Sequence, residues 1–336
     1  MNSQLQTKHK AVGLLSGGLD STLAAKIIHD LGFEIHGIYF SMPWGCCHKD
    51  KAQEVADKLN IKFIVMHLDE QYLEIIKKPR FGYGTALNPC KDCRIHMFSR
   101  AYEYMKSINA DFIFTGDVLG QRPMSQLQNS LRLIEKESVV EGHLVRPLSA
   151  KLLKPTIPEE KGILDRTKLF GFSGRSRKAQ IKLAEEFGIT DYPNPAGGCL
   201  LTDKNFSRRM KDIFKHGYRD FNEAVGLQWG RHFRIDENFK AILGRNAAEN
   251  ETIVHHAHQN DFIMALEDKE GPTLILKGDN PSEDVFQVAA GLVQRFSKYR
   301  DNSSMKVSCQ CVRTPGKPRS ITAKILDNSQ IEEMKV

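Results

Sequence analysis

Val12-Gly13-Leu14-Leu15-Ser16-Gly17-Gly18-Leu19-Asp20-Ser21-Thr22 is the stretch on which the reading of the chain turns. The short apolar run has the character of a buried strand. A Ser/Gly turn reverses it, and Ala24, Ala25, Ile27 and Ile28 then mark the apolar face of a helix. Two consecutive glycines let backbone N–H groups crowd around an anion where a Cβ would obstruct them. The helix that follows aims its free amides and its positive dipole end at the same point. Ser16, Ser21 and Thr22 add hydroxyl donors. The reading is a phosphate cradle, with an ordinary strand–turn–helix corner as the plain alternative. No Lys follows the glycines, so the cradle is not of the GxxxxGK[ST] kind.

Outward from this turn, strands and helices alternate. Glu34–Phe40 (EIHGIYF) and Ile61–Leu68 (IKFIVMHL) read as strands, with a helix over Asp50–Leu59 between them. A short helix over Glu70–Lys77 stops before Pro79, residues 79–89 form a loop, Cys93–Ile108 is helical, and Asp111–Thr115 is a fourth strand. This alternation predicts an α/β fold with a doubly wound parallel sheet and ligands at the carboxyl ends of its strands. The cradle, Phe40–Trp44 and Gly116-Asp117 all fall at such ends. From Arg146 to Lys182 the character shifts to ten Lys/Arg against three Asp/Glu, leading into a helix at about 176–187. A linker helix is expected at 206–222. A smaller α+β domain is expected over 223–330, with strands near 232–235, 273–276, 305–312 and 320–326 and a helix over 282–299. The first domain is then 1–205, its basic part about 146–205.

Composition bounds these readings. The 336 residues are 40% hydrophobic and 26% charged, ordinary for a globular protein, and no apolar run reaches the roughly 18 residues of a membrane span. The polar start MNSQLQTKHK has no apolar h-region, which reads against export. Seven scattered cysteines do not form a secreted disulfide framework, so a reducing cytoplasm is the simpler expectation. The net charge of +7 hints at an anionic partner.

The SGGLDS hexapeptide closely resembles the SGGxDS signature of the PP-loop ATP pyrophosphatases. That resemblance implies ATP cleaved between its α and β phosphates and AMP handed to a substrate. Ser16, Gly17, Gly18, Asp20, Ser21 and Thr22 would bind pyrophosphate, Asp20 would help orient it or Mg²⁺, and Phe40–Met42 would line the adenine pocket. For Asp20, a plain role as a first-turn residue favouring the helix dipole is the alternative.

Cys90-Lys91-Asp92-Cys93 opens a helix after Asn88-Pro89, where the dipole should lower the thiol pKa values. Cys199 sits in a distant Gly-Gly turn. Asn-Pro-Cys-x-x-Cys followed far downstream by Gly-Gly-Cys resembles the tRNA 2-thiouridylases, in which two such cysteines lie beside the ATP site. Cys93 matches the first and Cys199 the second, and the Thr115-Gly116 pair after strand four fits the same layout. Two positions depart from the family: its His after Thr-Gly is Asp117 here, and its Asp in Asn-Pro-Asp-x-x-Cys is Cys90, which supplies a third sulfur. Three readings of the thiols stay open. Cys90, Cys93 and Cys199 could hold three irons of a 4Fe–4S cluster whose fourth iron delivers sulfide, as in cluster-dependent tRNA thiolases. One cysteine could carry a persulfide that another resolves. The trio could instead bind zinc, with His96 or water. Cys46-Cys47-His48 reads as buried or loop thiols, and Cys309-x-Cys311 as packing on one strand face.

On the substrate side, Arg122 and Gln126 are candidates for phosphate or base contacts, with a solvated loop cation as the alternative for Arg122. The basic span, with Lys151, Lys154, Arg175, Arg177 and Lys178, suits a phosphate backbone, though a charge run is usually a solvated face. Residues 228–300, with Leu243-Gly244-Arg245-Asn246 and Gly271-Pro272, resemble the NFACT-R domain of RNA-linked proteins. That implies Arg245 and Asn246 as RNA contacts, or a structural turn. His255, His256 and His258 would not face one ion from a helix. The expectation is an ATP-dependent tRNA thiouridine sulfurtransferase with Cys93, Cys199 and Asp20 as its catalytic residues. Its sulfur would come from a sulfide or persulfide donor such as a cysteine desulfurase. A PP-loop ligase or amidotransferase acting on a small molecule, and an RNA-binding quality-control module, are the rivals.

Overall fold

The computed structural model describes residues 9–45, 48–194, 198–314 and 316–336. Two compact units emerge, Met1–Thr202 and Asp203–Val336. The elements of the first are β1 (Lys10–Leu14), α1 (Leu19–Asp30), β2 (Glu34–Ser41), α2 (Lys49–Lys58), β3 (Lys62–His67), α3 (Glu70–Lys77) and α4 (Cys90–Ser107). They continue with β4 (Phe112–Thr115), α5 (Gln128–Glu137), β5 (Leu144–Val145), α6 (Ile157–Glu160) and α7 (Lys178–Glu186). The five strands form one parallel sheet in the order β3-β2-β1-β4-β5. β2 is buried from Ile35 to Phe40 without alternation, as expected for a parallel strand covered on both faces. Leu23, Ile28, Phe112 and Phe114 are fully buried in the core that α1 closes over the sheet.

The strand order decides where a ligand can sit. The chain leaves β1 in one direction through β2 and β3, then returns across it to β4 on the other side. The loops after β1 and β4 therefore part company, and the crevice at that switch point is where open α/β sheets bind ligands. The phosphate-cradle turn and Gly116 occupy the two sides of it.

The second unit holds α8 (Lys204–His216), α9 (Phe221–Gly226), β6 (Arg231–Arg234), β7 (Lys240–Leu243), α10 (Ala247–His255), β8 (Phe262–Leu266), β9 (Leu274–Lys277) and α11 (Glu283–Arg295). β10 (Lys306–Cys311), β11 (Arg319–Thr322) and α12 (Asn328–Met334) complete it. Its six-stranded sheet is antiparallel, in the order β11-β10-β8-β9-β7-β6, with α11 packed on it through Phe286, Ala289, Ala290 and Val293. The unit is α+β. β7 and β8 are short, and the sequence patterning did not single them out. α11 stops at Arg295, short of the expected 299, because Phe296 turns back to pack on Phe233, ring centroids 5.4 Å apart. Among the described residues, no helix is long and apolar enough to cross a membrane.

Candidate active site

The turn after β1 is built by two glycines with different duties. Gly17 has φ +75, and a Cβ there would stand 2.3 Å from the His48 carbonyl and 2.9 Å from the Ala52 amide. The segment entering α2 is thus pressed against the turn, and the Ser16 carbonyl accepts from the His48 N–H at 2.9 Å. Gly18 is the N-cap of α1 and offers no side chain to its amides. Ser21 and Thr22 turn their hydroxyls onto the Gly18 carbonyl at 2.9 and 3.1 Å, and Ser16 Oγ donates to Ser21 Oγ at 3.1 Å. These hydroxyls hold the shape of the turn. The uncapped amides of the first turn of α1 are the donors left for an anion.

Gly116, after β4, comes so close to this helix that a Cβ would lie 2.4 Å from Asp20 C and Ser21 N. Asp20 therefore sits in the crevice itself. Its Oδ2 accepts from Gln121 Nε2 at 3.0 Å, and its Oδ1 is buried without a partner. Burial raises its carboxyl above the usual range, while Arg177 and Arg122 pull it back down. A buried carboxylate oxygen with no donor fits a cation, and the charges of Arg177 and Arg122 nearby fit an anion beside it. Gln121 and Arg94 were not among the residues singled out from sequence; both act through tertiary contacts that no local pattern encodes. Gln126 is buried, and its amide is taken up by Asp117 Oδ1 at 2.8 Å, an internal contact. Arg122 is exposed.

Asp117, the residue after Gly116, joins the two halves of the site. It accepts from Arg94 of α4, from Gln126 and, at 3.1 Å, from Thr115 Oγ1, with Arg146 Nε 3.8 Å away. Arg94 and Arg146 hold its buried carboxyl below the usual range against the effect of burial. Through Arg94 the end of β4 is tied to the helix that carries the cysteines.

Pro89 caps α4, so Cys90 and Cys93 both lie in its first turn. Tyr72 donates its hydroxyl to Cys93 Sγ at 3.2 Å, and Met42 Sδ stands 4.0 Å from the same sulfur. Cys199 is brought here by two backbone bonds on its flank: Leu200 N–H to the Trp44 carbonyl, 2.9 Å, and Leu87 N–H to the Leu201 carbonyl, 3.0 Å. The buried Trp44 stacks on Tyr72 with centroids 6.2 Å apart. A segment a hundred residues downstream is thereby stitched both to the end of β2 and to the loop preceding Cys90. The three thiols share one electrostatic neighbourhood, since Cys90 and Cys199 both act on Cys93 and on Tyr72.

The lowered thiol pKa expected from the helix dipole is corrected for Cys93. Burial, with Cys90 and Cys199 close by, pushes it up to about 12, and the Tyr72 hydrogen bond and Arg94 only moderate the rise. Losing solvent outweighs a dipole effect of about 1 kcal/mol. Asp92, between the two cysteines, is structural: its carboxylate accepts from the Arg80 and Phe81 amides at 2.8 and 3.2 Å. Cys90 donates to Asn88 Oδ1 at 3.1 Å. Three thiols gathered in one neighbourhood suit a soft metal by donor type. Among the described residues, however, no three His, Cys, Asp or Glu side chains stand at metal-holding separation. His96, half-buried on α4, tilts against Tyr72 at 6.2 Å. Phe40 is buried in β2. Cys46 and Cys47 lie outside the described residues, Cys309 is buried in the second unit's core, and Cys311 is partly exposed.

In the second unit, Arg245 is paired with Glu249, and Asn246 caps α10 by accepting from the Glu249 amide at 2.9 Å. His255 ends that helix and His256 stacks on Trp229 at 4.9 Å.

A parallel sheet with an SGGLDS turn at its switch point defines the first unit as a PP-loop α/β unit. Residues 6–156 match the family described as thiamine biosynthesis protein (ThiI), and residues 230–334 match the NFACT protein RNA binding domain. A tRNA-specific 2-thiouridylase, MnmA 2 of Clostridium botulinum, is 31% identical over 342 aligned positions, covering 95% of this chain and 88% of the relative. The chain belongs to the tRNA-specific 2-thiouridylase family. The enzyme of that name from Sulfurimonas denitrificans is 34% identical over 110 residues, 30% of this chain, which there spans about a third (32%) of the relative's length. A 4-thiouridine synthetase solved with RNA and ATP aligns at 20% identity with a TM-score of 0.41, over 62% of this chain and 51% of that one.

Proposed function

We propose that the chain is an ATP-dependent tRNA uridine sulfurtransferase that replaces the C2 oxygen of a uracil with sulfur. The uracil oxygen attacks the α-phosphorus of ATP and pyrophosphate leaves. A sulfur nucleophile then adds at the activated carbon, and AMP departs carrying the original oxygen. A carbonyl oxygen is a poor leaving group, and adenylation makes it a good one. The amides of α1 and the Ser16–Thr22 turn bind pyrophosphate, Asp20 orients Mg²⁺, and Phe40, Met42 and Gly116 border the nucleotide. The supporting observation is the stitching of Cys199 beside Cys93 at the strand ends that also carry the PP-loop.

Cys90, Cys93 and Cys199 would hold a 4Fe–4S cluster, whose chemistry is to present sulfide at an iron without a protein ligand. What supports this reading is donor type: three thiols gathered in one neighbourhood suit iron and other soft metals. The turning of Cys90 onto Asn88 favours a second reading without a cluster. There a persulfide on one cysteine supplies the sulfur, a second cysteine closes a disulfide, and an external thiol reduces it. The second unit contributes RNA binding, and the reaction takes place in the cytoplasm with a cysteine desulfurase as donor.

Two measurements test this. Anaerobically purified protein should contain iron and acid-labile sulfide; their absence after reconstitution leaves the persulfide route. Nucleoside mass spectrometry of tRNA from cells lacking the chain should show a 2-thiouridine missing, and an unchanged profile refutes the function.

A further inference from the structure

The second unit contains a cavity of about 690 Å³ with Arg208, Arg209, Arg231, Arg295, Arg300 and Lys335 in its walls. That size is within the range of ligand sites, roughly 300–1,000 Å³. Lys335 is paired with Glu332 at 3.0 Å, and the exposed Arg300 lies 3.6 Å from Asp301. The other four have no carboxylate at ion-pair distance among the described residues. Each is held instead by a neutral group. Arg208 donates to Asn205 Oδ1 (3.3 Å), Arg209 to the Leu227 carbonyl (2.9 Å) and Arg295 to Asn328 Oδ1 (2.7 Å). Arg231 lies over the Phe296 ring at 5.1 Å. Arg209 Nε is buried with no acceptor at all.

Four arginines elsewhere in the same unit do have carboxylate partners. Arg219 pairs with Asp261, Arg234 with Asp212, Arg245 with Glu249 and Arg319 with Glu283. Four guanidinium groups left uncompensated around one cavity repel one another, and an anion entering it would relieve that repulsion. The planar guanidinium fork matches phosphate oxygens two at a time. The four come from α8, β6 and the end of α11, so they are oriented by the fold and not by one flexible loop.

We propose that this cavity is a phosphate-binding site that grips the backbone of the RNA substrate. The proposal rests on RNA being the substrate, but its binding can be read apart from sulfur transfer. The cavity takes the role in RNA binding that Arg245 and Asn246, occupied by Glu249 and by the cap of α10, are not free to play.

The test uses the full chain and an unmodified tRNA transcript, with fluorescence anisotropy read across a salt series. Arg231→Gln with Arg295→Gln should weaken binding about tenfold near 0.1 M salt. The slope of log K against log salt should become shallower by about 0.9 for each phosphate that is no longer neutralised. Arg231→Lys with Arg295→Lys should keep most of the slope, and ATP binding should not change in either variant. Unchanged affinity and slope in the Gln variant overturn the proposal. So does tRNA affinity that stays unchanged while millimolar inorganic phosphate, followed by its own calorimetric titration, fills the cavity, which would mark a small-anion site. If the Gln variant fails to fold, Arg208→Gln alone, an exposed member of the four, must still make the slope shallower, and an unchanged slope overturns the proposal. A wild-type chain that binds tRNA through these arginines yet forms no thiouridine refutes the proposed function and leaves the cavity assignment standing.

Discussion

Gly116→Ala is the sharpest single-atom test of how the site is put together. The added Cβ would fall 2.4 Å from Asp20 C, 2.4 Å from Ser21 N and 2.5 Å from Asp20 O. All three are backbone atoms of the first turn of α1, so no rotamer change can relieve the overlap; the helix or the end of β4 has to move. Overpacking typically costs 1–3 kcal/mol, and a contact against backbone belongs at the upper end, about 3 kcal/mol. For a unit of this size that is a fall in Tm of about 6–12 °C. Calorimetry of the full chain reads it on the transition that rises with added ATP, which marks the nucleotide-binding unit by mass action. ATP affinity should fall in parallel, because the moved atoms carry the anion-facing amides. Gly18→Ala is the companion variant. Its nearest neighbour would be Ser16 Oγ at 3.6 Å, ordinary contact, so its Tm should hold while ATP binding weakens. A Gly116→Ala protein that melts within about 2 °C of wild type with ATP affinity intact would refute the close approach of β4 to α1.

Asp117→Asn should cost about 3 kcal/mol in the same transition, because half-buried Arg94 loses its carboxylate while Arg146 keeps only Glu135; a loss under about 1 kcal/mol would show the ion pairs to be idle. Alkylation mapped by mass spectrometry on metal-free protein should modify Cys311, whose pKa is lowered, well before Cys93 (about 12) or Cys309 (about 11), and early labelling of Cys93 would contradict its raised pKa. The second unit should weaken in acid in two stages. Burial holds the His232 imidazole neutral with its pKa well below 6.5, so the unfolded chain takes the proton first and stability falls as pH drops below 6.5, by about 1 kcal/mol between pH 7 and 5.5. Asp212, held at about 2 by Arg234 and Lys240, adds stability above 3.8 that is lost as pH falls toward 2. Urea melts of His232→Gln should shrink the first stage, leaving the smaller part that half-buried His256 contributes, and keep the second; an unchanged profile would overturn the assignment.

The parallel sheet and the PP-loop were legible because their signals are local. A buried strand, a Gly-Gly turn and a helix face are written within twenty residues of one another, and loop lengths force the crossovers. The cysteine trio was legible as a set by resemblance, but the means of assembling it was not. That depends on backbone bonds from Leu200 to Trp44 and from Leu87 to Leu201, and backbone groups carry no sequence signature. Burial reversed the inference drawn from helix position alone for Cys93, since a dipole argument counts the helix and not what packs on it. Asp117, placed from sequence at a strand end and as a departure from the family, is the carboxylate that joins α4 to the end of β4. Gln126 and Asn246 looked free because polar loop residues usually are, and the structure gives each an internal partner.

The most direct measurement combines purified chain, ATP, labelled sulfide and unmodified tRNA in one reaction, with nucleosides and nucleotides both analysed. One AMP and one pyrophosphate should form for each labelled 2-thiouridine, with no thiouridine from Cys199→Ala. ATP released as ADP, or label entering tRNA at an undiminished rate in Cys199→Ala, would contradict this outcome.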